Sequence, residues 1–120
     1  MLLQDIATGL CLQDFPAGTV YTTGCNGNVY QTWSSWNDGH NNYHFLNIGS
    51  QQCLQSDFSH EVYTRGCIEI GFQYWSFWST GHNDYHYLNN KTQECLDSNG
   101  DSYTLPCNEG DFQKWRNLGG

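Results

Sequence analysis

The chain contains six cysteines at a regular spacing, and such cysteines either form disulfides or bind a metal. They fall into three consecutive pairs, which are Cys11 and Cys25, Cys53 and Cys67, and Cys95 and Cys107. Because the sequence around the pairs repeats three times, we predict one disulfide within each repeat. Each would close a loop of about 13 to 15 residues and contribute on the order of 3 kcal/mol. Zinc binding is disfavoured because the chain lacks a Cys-x-x-Cys pair.

The five histidines are the other residues that could bind a metal or act as a catalytic base. His40 and His44 are four residues apart, as are His82 and His86, but this spacing places two rings on one face only in a helix. The surrounding sequence indicates hairpins, so we predict aromatic packing or a polar rim for them. The sequence also lacks a recognisable series of nucleophile, base and orienting group. We therefore expect no enzyme, no metal site and no cofactor.

The charge of the chain argues against nucleic acid as a partner. The net charge is −8, with only four Lys and Arg residues and no cluster among them, so a phosphate backbone would be repelled. No segment approaches the roughly 18 consecutive apolar residues of a membrane span, and we expect no membrane insertion. Disulfides persist in oxidising compartments, which predicts a secreted or extracellular protein. The first repeat starts at once without a signal peptide, so we expect a trimmed start or a domain excised from a longer chain.

A threefold internal repeat must position these residues. Each copy contains Cys-Leu, a Tyr four residues before the second cysteine, and a Gln-x-Trp motif that starts six residues after it. The first cysteines are 42 residues apart, and the third copy is two residues shorter between its cysteines. The copies span approximately residues 1–42, 43–84 and 85–120. None is large enough to bury a core alone, so we predict a single domain over residues 1–120.

Short strands and tight turns are the elements that this composition favours. Aromatic residues make up 16% of the chain and charged residues 13%, and there are 13 glycines. About four strands per repeat predict an all-β closed structure of about twelve strands with pseudo-threefold symmetry, a β-trefoil. The third copy has no room for its last hairpin. We predict that residues 1–4 pair with residues 113–118 and close the ring.

The Gln-x-Trp motifs have predicted structural roles. The Trp residues can fill a shared core around the threefold axis, each burying on the order of 150 to 250 Å². The Gln residues can hydrogen-bond loop backbone that would otherwise be unsatisfied. The six residues are Gln31, Trp33, Gln73, Trp75, Gln113 and Trp115.

The series Cys-Leu-Asp, Tyr, Cys-Asn and Gln-x-Trp resembles the ricin B-chain type β-trefoil lectins, which are also classed as carbohydrate-binding module family 13. The resemblance covers the entire chain, and three Gln-x-Trp motifs in register with three cysteine pairs make it specific. The third copy, from Leu96 to Asn108, is similar to actinomycete mannose-binding lectins of this family. The resemblance implies a β-trefoil fold and glycan ligands.

The resemblance also implies a sugar site in repeat three. In this family the acid follows the Cys-Leu pair, which is the position of Asp97, and the surrounding positions are Tyr103, Leu105, Asn108 and Phe112. Sugar recognition uses a carboxylate or amide for vicinal hydroxyls and an aromatic face for the C–H side of the ring. Ricin-like galactose sites carry an aromatic residue at the position of Leu105, so the resemblance favours mannose-type ligands.

Repeat one departs from the family pattern at one position. Gln13 occupies the acid position, while Tyr21, Asn26 and Tyr30 match, and Asp14 could substitute for the acid if the turn is shifted. A neutral amide accepts a hydrogen bond without charge assistance, which weakens the bond. The shorter turn of repeat three makes the depth of its own pocket an open question.

Repeat two departs further, with Gln55, Arg65 and Ile68 at three of the site positions, and we predict that it is degenerate. Structural roles are the alternative for all three repeats. Asp97 could cap backbone N–H groups in a turn, and the repeat tyrosines could pack beneath the hairpins.

The sequence therefore predicts a lectin module that recognises glycans, of mannose type or of galactose or xylan type, best through repeat three. Such a module could be the targeting domain of a larger secreted enzyme or toxin. The alternative is a protein-interaction or protease-inhibitor β-trefoil whose sugar sites have decayed. Trp36 and Trp78 are further strand-packing candidates, and if they are exposed they would form a second patch for a partner or glycan.

Overall fold

The computed structural model describes residues 1–15 and 18–118, and these residues form short strands and single 3₁₀ turns. The strands are β1 Leu2–Asp5, β2 Cys11–Asp14, β3 Val20–Thr23, β4 Trp33–Asn37, β5 Tyr43–Asn47, β6 Cys53–Ser56, β7 Val62–Arg65, β8 Trp75–Ser79, β9 Tyr85–Asn89, β10 Cys95–Ser98, β11 Ser102–Leu105 and β12 Trp115–Leu118. The 3₁₀ turns are Val29–Gln31, Gly71–Gln73 and Asp111–Gln113, one before each Gln-x-Trp strand. No helix in the described ranges is long and apolar enough to cross a membrane.

Six strands, two from each repeat, form a ring. Antiparallel pairs join β1 to β12, β12 to β9, β9 to β8, β8 to β5 and β5 to β4. The pairing of β1 with β12 runs from Leu2 opposite Leu118 to Asp5 opposite Trp115, which confirms the predicted closure by the N-terminal segment. Met1 and Trp33 exchange two backbone hydrogen bonds of 2.9 Å and so link β1 to β4. The predicted β-trefoil is confirmed.

The core lies inside this ring and follows the threefold repeat. Trp33, Trp75 and Trp115 are at most 1% exposed. Each indole N–H donates at 3.1 Å to the backbone carbonyl of the Leu that follows the first cysteine of its repeat. A buried indole needs such an acceptor, so the motif Trp and the Cys-Leu strand hold each other in register.

The three disulfides predicted within the repeats are present, as Cys11–Cys25, Cys53–Cys67 and Cys95–Cys107. Each has a Cα–Cα separation of 5.0 Å. Each joins the start of a strand to the loop that precedes a 3₁₀ turn, and that loop carries part of the candidate site.

The remaining strands form three hairpins, β2–β3, β6–β7 and β10–β11, which cap one end of the ring. A threonine of each hairpin bonds to the next repeat. Thr22 is 2.9 Å from Ser98, and Thr104 is 3.0 Å from Ser56. The third threonine, Thr64, donates to Asp14 at 2.9 Å. These buried contacts interlock the repeats.

Asp14 is therefore not available as a substitute acid in repeat one. Its carboxylate is fully buried and accepts from Thr64 and, at 2.5 Å, from Ser50. Adjacent strand residues point to opposite faces, so the face that carries Gln13 is not the face that carries Asp14. The expectation that Asp14 could replace the family acid is wrong.

Candidate functional site

Each Gln-x-Trp glutamine bonds to the residue that follows the Cys-Leu pair of its own repeat. The side-chain N–H of Gln113 donates to Asp97 at 3.1 Å. The corresponding bonds from Gln31 to Gln13 and from Gln73 to Gln55 are both 3.0 Å. The same glutamines are fully buried and also bond to loop backbone, as their predicted role requires. The motif glutamine therefore orients the candidate ligand residue in every repeat.

In repeat three, this contact places a carboxylate opposite a tyrosine. Asp97 and Tyr103 are cross-strand partners in the β10–β11 hairpin. Asp97 is 4% exposed and lies within β10, so its carboxylate is buried rather than placed on a protruding turn. Burial and the neighbouring Asp97 carboxylate raise the pKa of the Tyr103 hydroxyl above its usual range. The tyrosine therefore keeps its proton and can act as a donor at neutral pH.

The other residues predicted for the repeat-three site provide apolar and amide groups. Leu105 is 37% exposed and Phe112 is 47% exposed. The backbone N–H of Asn108 donates to Gln113 at 2.8 Å, and its side-chain oxygen accepts from Gly110 at 2.7 Å. An oriented carboxylate, two apolar walls and an amide are the groups that a polyhydroxylated ring requires. Cross-strand pairing joins Asp97 to Tyr103, and Gln113 links Asp97 to Asn108, while Leu105 and Phe112 are partly exposed nearby in the chain.

Repeat one brings its predicted residues into a different arrangement. The side-chain oxygen of Gln13 already accepts from Gln31 at 3.0 Å and from Asn28 at 3.5 Å. Tyr21 is stacked on Phe15, with ring centroids 3.9 Å apart and an interplanar angle of 10°. One face of the tyrosine is therefore covered by this chain's own phenyl ring.

The other two predicted residues of repeat one make local contacts. Asn26 is exposed, and its side-chain oxygen accepts from Asn28 at 2.9 Å. The carbonyl of Tyr30 accepts from Asn47 at 2.8 Å. The ring of Tyr30 lies against Gly49, where a side chain would come within 2.5 Å of it. This ring packs against the turn after β5.

Repeat two contains an acid that the sequence patterns did not single out. The Tyr63 hydroxyl donates to Asp57 at 3.1 Å and accepts from Gln55 at 3.2 Å. Burial and this hydrogen bond to Asp57 raise the pKa of Tyr63. The guanidinium of Arg65 lies 5.2 Å from the centre of the same ring. Asp57 lies in the cap turn two residues beyond the family position, so a search restricted to the Cys-Leu-Asp pattern misses it.

The length of the cap turn separates repeat three from the other two. In repeat two, Phe58 of the longer turn packs edge-on against Phe72, with centroids 5.3 Å apart. In repeat one, Phe15 covers Tyr21. In repeat three the turn runs only from Ser98 to Ser102 and contains Asn99, Gly100 and Asp101, none of which is aromatic. The shorter turn of repeat three therefore has no aromatic residue that could pack as Phe15 and Phe58 do in the other repeats.

The hairpin histidines divide into two kinds. His40 and His82 are exposed in the turns, whereas His44 and His86 are 1% and 2% exposed and stack against Trp36 and Trp78.

Twelve strands in three repeats, with an oriented acid or amide beneath each cap hairpin, define a β-trefoil of the lectin type. The chain belongs to the ricin-type β-trefoil lectin domain family, whose model matches residues 1–116. This family is one of carbohydrate-binding domains, and the predicted membership is confirmed.

Solved structures share the fold at low sequence identity. ThreeFoil, a designed threefold-symmetric protein, superposes with a TM-score of 0.88 at 19% identity, covering 96% of this chain and 94% of its own. The exo-β-1,3-galactanase 1,3Gal43A from Clostridium thermocellum gives 0.87 at 19% identity, with 96% of this chain but only 29% of the galactanase covered. SeviL, solved with asialo-GM1 saccharide, gives 0.80 at 20% identity and 96% and 92% coverage. No curated protein sequence matches the chain.

Proposed function

We propose that this domain binds neutral glycans through the repeat-three cleft, with Asp97 as the acceptor for vicinal sugar hydroxyls. Tyr103 and Asn108 supply further polar contacts, and Leu105 and Phe112 form the apolar walls. The observation that carries the proposal is the Asp97 carboxylate, held at 3.1 Å by Gln113 in the repeat whose short cap turn contains no aromatic residue. Charge-assisted hydrogen bonds to a fixed carboxylate are about twice as strong as neutral ones.

Mannose-type sugars are the proposed ligands of this cleft. An exposed aliphatic side chain, Leu105, stands at the position where galactose-binding relatives carry an aromatic ring. Repeat one, with Gln13, Tyr21, Asn26 and Tyr30, is proposed as a weaker site, because its acceptor is a neutral amide that already accepts two bonds. Weak single sites reach useful avidity when several act together.

The proposed setting is extracellular, and three disulfides in a chain of 120 residues support it. We also propose that the domain can serve as the targeting arm of a larger protein. The support is the galactanase, in which the matching region is 29% of the whole chain.

The test is a titration of wild type and Asp97→Asn with mannose, galactose and short mannan or xylan oligosaccharides, followed by ligand-observed NMR. The substitution keeps the size of the side chain and removes its charge, so we expect binding to weaken about 10-fold or more. Asp38→Asn, an acid on the remote β4–β5 hairpin, is the matched control and should leave the affinity unchanged. Equal affinity in wild type and Asp97→Asn would refute the repeat-three site.

A protein partner is the second candidate, and the surface of repeat two favours it. Phe58 is 66% exposed and Ile68 is 52% exposed, on the side where the sugar pattern is most altered. A stoichiometric complex with a protein that survives excess mannose and galactose would support this function. Complete competition by free sugar would count against it.

A further inference from the structure

The outer wall of the ring carries a cluster of three residues that the cap clefts do not use. Trp36 on β4 lies opposite His44 on β5, and their rings stack with centroids 5.0 Å apart at 18°. The His44 Nε2 lies 3.4 Å from the carboxylate of Glu69, which comes from the loop after Cys67. The indole is 41% exposed and the histidine 1%. One face of the indole thus packs on a buried ring, while a substantial part of the side chain remains exposed to solvent.

The same cluster occurs a second time, one repeat further on. Trp78 on β8 stacks on His86 on β9, with centroids 5.2 Å apart at 28°. The His86 Nε2 lies 3.9 Å from Glu109, which again follows the second cysteine of its repeat by two residues. Trp78 is 42% exposed, so both indoles present similar areas.

The third copy of this wall lacks all three residues together. The strand pair equivalent to Trp36 and His44 is Leu118 and Leu2, which face each other across β12 and β1. The position of Glu69 is occupied by Gly27. Two leucines show that this wall can be packed with apolar side chains alone. The aromatic, histidine and carboxylate groups are therefore present or absent as a unit.

The cluster does not stabilise the fold, so folding alone does not explain why two repeats contain it. The Nδ1 atoms of His44 and His86 are both buried without a hydrogen-bond partner among the described residues. A buried polar atom without a partner destabilises the folded state, and an exposed indole gains little from burial. Two repeats keep this arrangement where a leucine pair would suffice, which points to a role in binding.

We propose that the Trp36–His44–Glu69 and Trp78–His86–Glu109 clusters are sugar-ring platforms, a second class of glycan site that is independent of the cap clefts. The C–H face of a hexose ring stacks on the exposed indole face, and the Glu carboxylate accepts hydrogen bonds from the ring hydroxyls. The Tyr74 hydroxyl donates to Glu69 at 2.8 Å, and this bond and His44 keep the pKa of Glu69 below its usual value. The acceptor is thus ionised at neutral pH.

The charges around the platforms select neutral sugars. A carboxylate at each rim and a net charge of −8 repel uronic and sialic acids. Only the indole, the imidazole and the carboxylate are common to both copies, and these suit an uncharged ring.

The second platform adjoins the repeat-three cleft along the chain, since Glu109 directly follows Asn108. A ligand that spans both would be an oligosaccharide or polysaccharide rather than a single terminal sugar. The platforms therefore fit a glycan with several consecutive neutral residues.

The test uses the exposure of the tryptophans themselves. Of the five, only Trp36 and Trp78 meet solvent, because Trp33, Trp75 and Trp115 are buried. Acrylamide quenching of tryptophan fluorescence therefore detects ligands at the platforms. It does not detect ligands at the cap hairpins, whose proposed binding residues include no Trp. Soluble mannan, xylan and galactan are the probes, and polygalacturonate is the acidic control. We expect at least one neutral polysaccharide to protect the fluorescence in wild type, and protection at saturating polysaccharide to persist in Asp97→Asn.

Substitutions then show which residues are responsible for the fluorescence protection. Affinity electrophoresis in gels that contain the same polysaccharide should show retention weakened about 10-fold in the Trp36→Ala/Trp78→Ala double variant. Glu69→Gln/Glu109→Gln should weaken it less, because the amide still accepts a hydrogen bond. Ile48→Ala, which removes an exposed apolar side chain elsewhere, is the control and should be retained as wild type.

Three results would overturn the inference. The first is retention that is unchanged in the double Trp variant but lost in Asp97→Asn, which would leave the repeat-three proposal intact. The second is absence of protection by any neutral polysaccharide. The third is a wild-type dimer in sedimentation analysis that the double Trp variant converts to monomer, which would assign the indoles to contact with a second copy. The converse result, retention lost in the double Trp variant with sugar affinity unchanged in Asp97→Asn, would support the platforms and refute the repeat-three site.

Discussion

Gln113 connects Asp97 to the loop that carries Asn108. Its side-chain nitrogen donates to the Asp97 carboxylate at 3.1 Å, and its side-chain oxygen accepts from the Asn108 backbone at 2.8 Å. One buried amide therefore sets the position of two proposed ligand residues that lie on different segments. Since every repeat contains this amide, the family motif is at once a structural element and a support for the binding residue.

Replacing Gln113 is predicted to affect both stability and binding. Gln113→Ala removes three hydrogen bonds from a buried site and should destabilise the domain by about 2 to 3 kcal/mol. The freed Asp97 carboxylate should also bind mannose-type ligands several-fold more weakly, because its orientation is no longer fixed. Urea denaturation and ligand-observed NMR measure the two effects.

Gln73→Ala is the matched control, since Gln73 makes the same set of bonds in repeat two. We expect a similar loss of stability and unchanged binding in repeat three. A loss of sugar affinity as large in Gln73→Ala as in Gln113→Ala would show that the effect is global destabilisation.

Asp5 occupies a position where the other two repeats have asparagine. Asn47 and Asn89 each accept two turn N–H groups and donate at 2.8 Å to the carbonyls of Tyr30 and Phe72. Asp5 accepts the equivalent bonds from Ala7 and Thr8, but its Oδ2 is buried without a partner among the described residues. Burial raises the pKa of Asp5 from 3.8 to about 7, against the turn hydrogen bonds that lower it.

This shift predicts that stability falls as the pH rises. Between about pH 4 and pH 7 the folded protein binds more protons at Asp5 than the unfolded chain does, so the free energy of unfolding decreases across that range. Asp5→Asn should remove this slope and stabilise the domain by about 1 to 3 kcal/mol above pH 7. Urea denaturation at several pH values tests it, with the exposed Asp101→Asn as control. A variant with an unchanged slope would contradict the assignment.

The three threonine contacts between the cap hairpins and neighbouring repeats are unequal. Two join hydroxyl groups, whereas the contact of Thr64 is with the carboxylate of Asp14. Among the described residues, Thr64→Val leaves the buried Asp14 carboxylate with Ser50 as its one side-chain donor, so we expect a loss of about 2 to 3 kcal/mol. Thr22→Val removes neutral contacts with Ser98 and with the Gly100 carbonyl and should cost about 1 kcal/mol. Thermal denaturation of both variants measures the difference. Equal losses of stability would show that the buried Asp14 carboxylate does not depend on the Thr64 hydroxyl.

The fold was predictable because it depends on spacing alone. Three Trp residues at a constant distance from three Cys-Leu pairs can share a core only if the repeats surround one axis. The third copy lacks a closing strand of its own, and this absence predicts the observed pairing of the N-terminal segment with β12. Disulfide pairing followed from the same repetition.

The site was less predictable because cross-repeat contacts leave no local pattern. Thr64 bonds to Asp14 across 50 residues, and Glu69 reaches His44 across 25. Strand alternation would have separated Gln13 from Asp14, but nothing near Asp14 indicates its partner. The covering of Tyr21 by Phe15 depends on the conformation of a turn, which its residue types do not determine.

Removal of single disulfides is predicted to separate stability from binding. The three bonds close loops of similar length, with sequence separations of 14, 14 and 12, so the chain-entropy model gives each about 3 kcal/mol. The double variants Cys53→Ser/Cys67→Ser and Cys95→Ser/Cys107→Ser should therefore be destabilised alike in urea. Only the second pair joins the Asp97 strand to the Asn108 loop, so only its removal should weaken sugar binding under conditions where both variants stay folded. Equal sugar affinities in the two folded variants would show that Gln113 alone is sufficient to hold the cleft together.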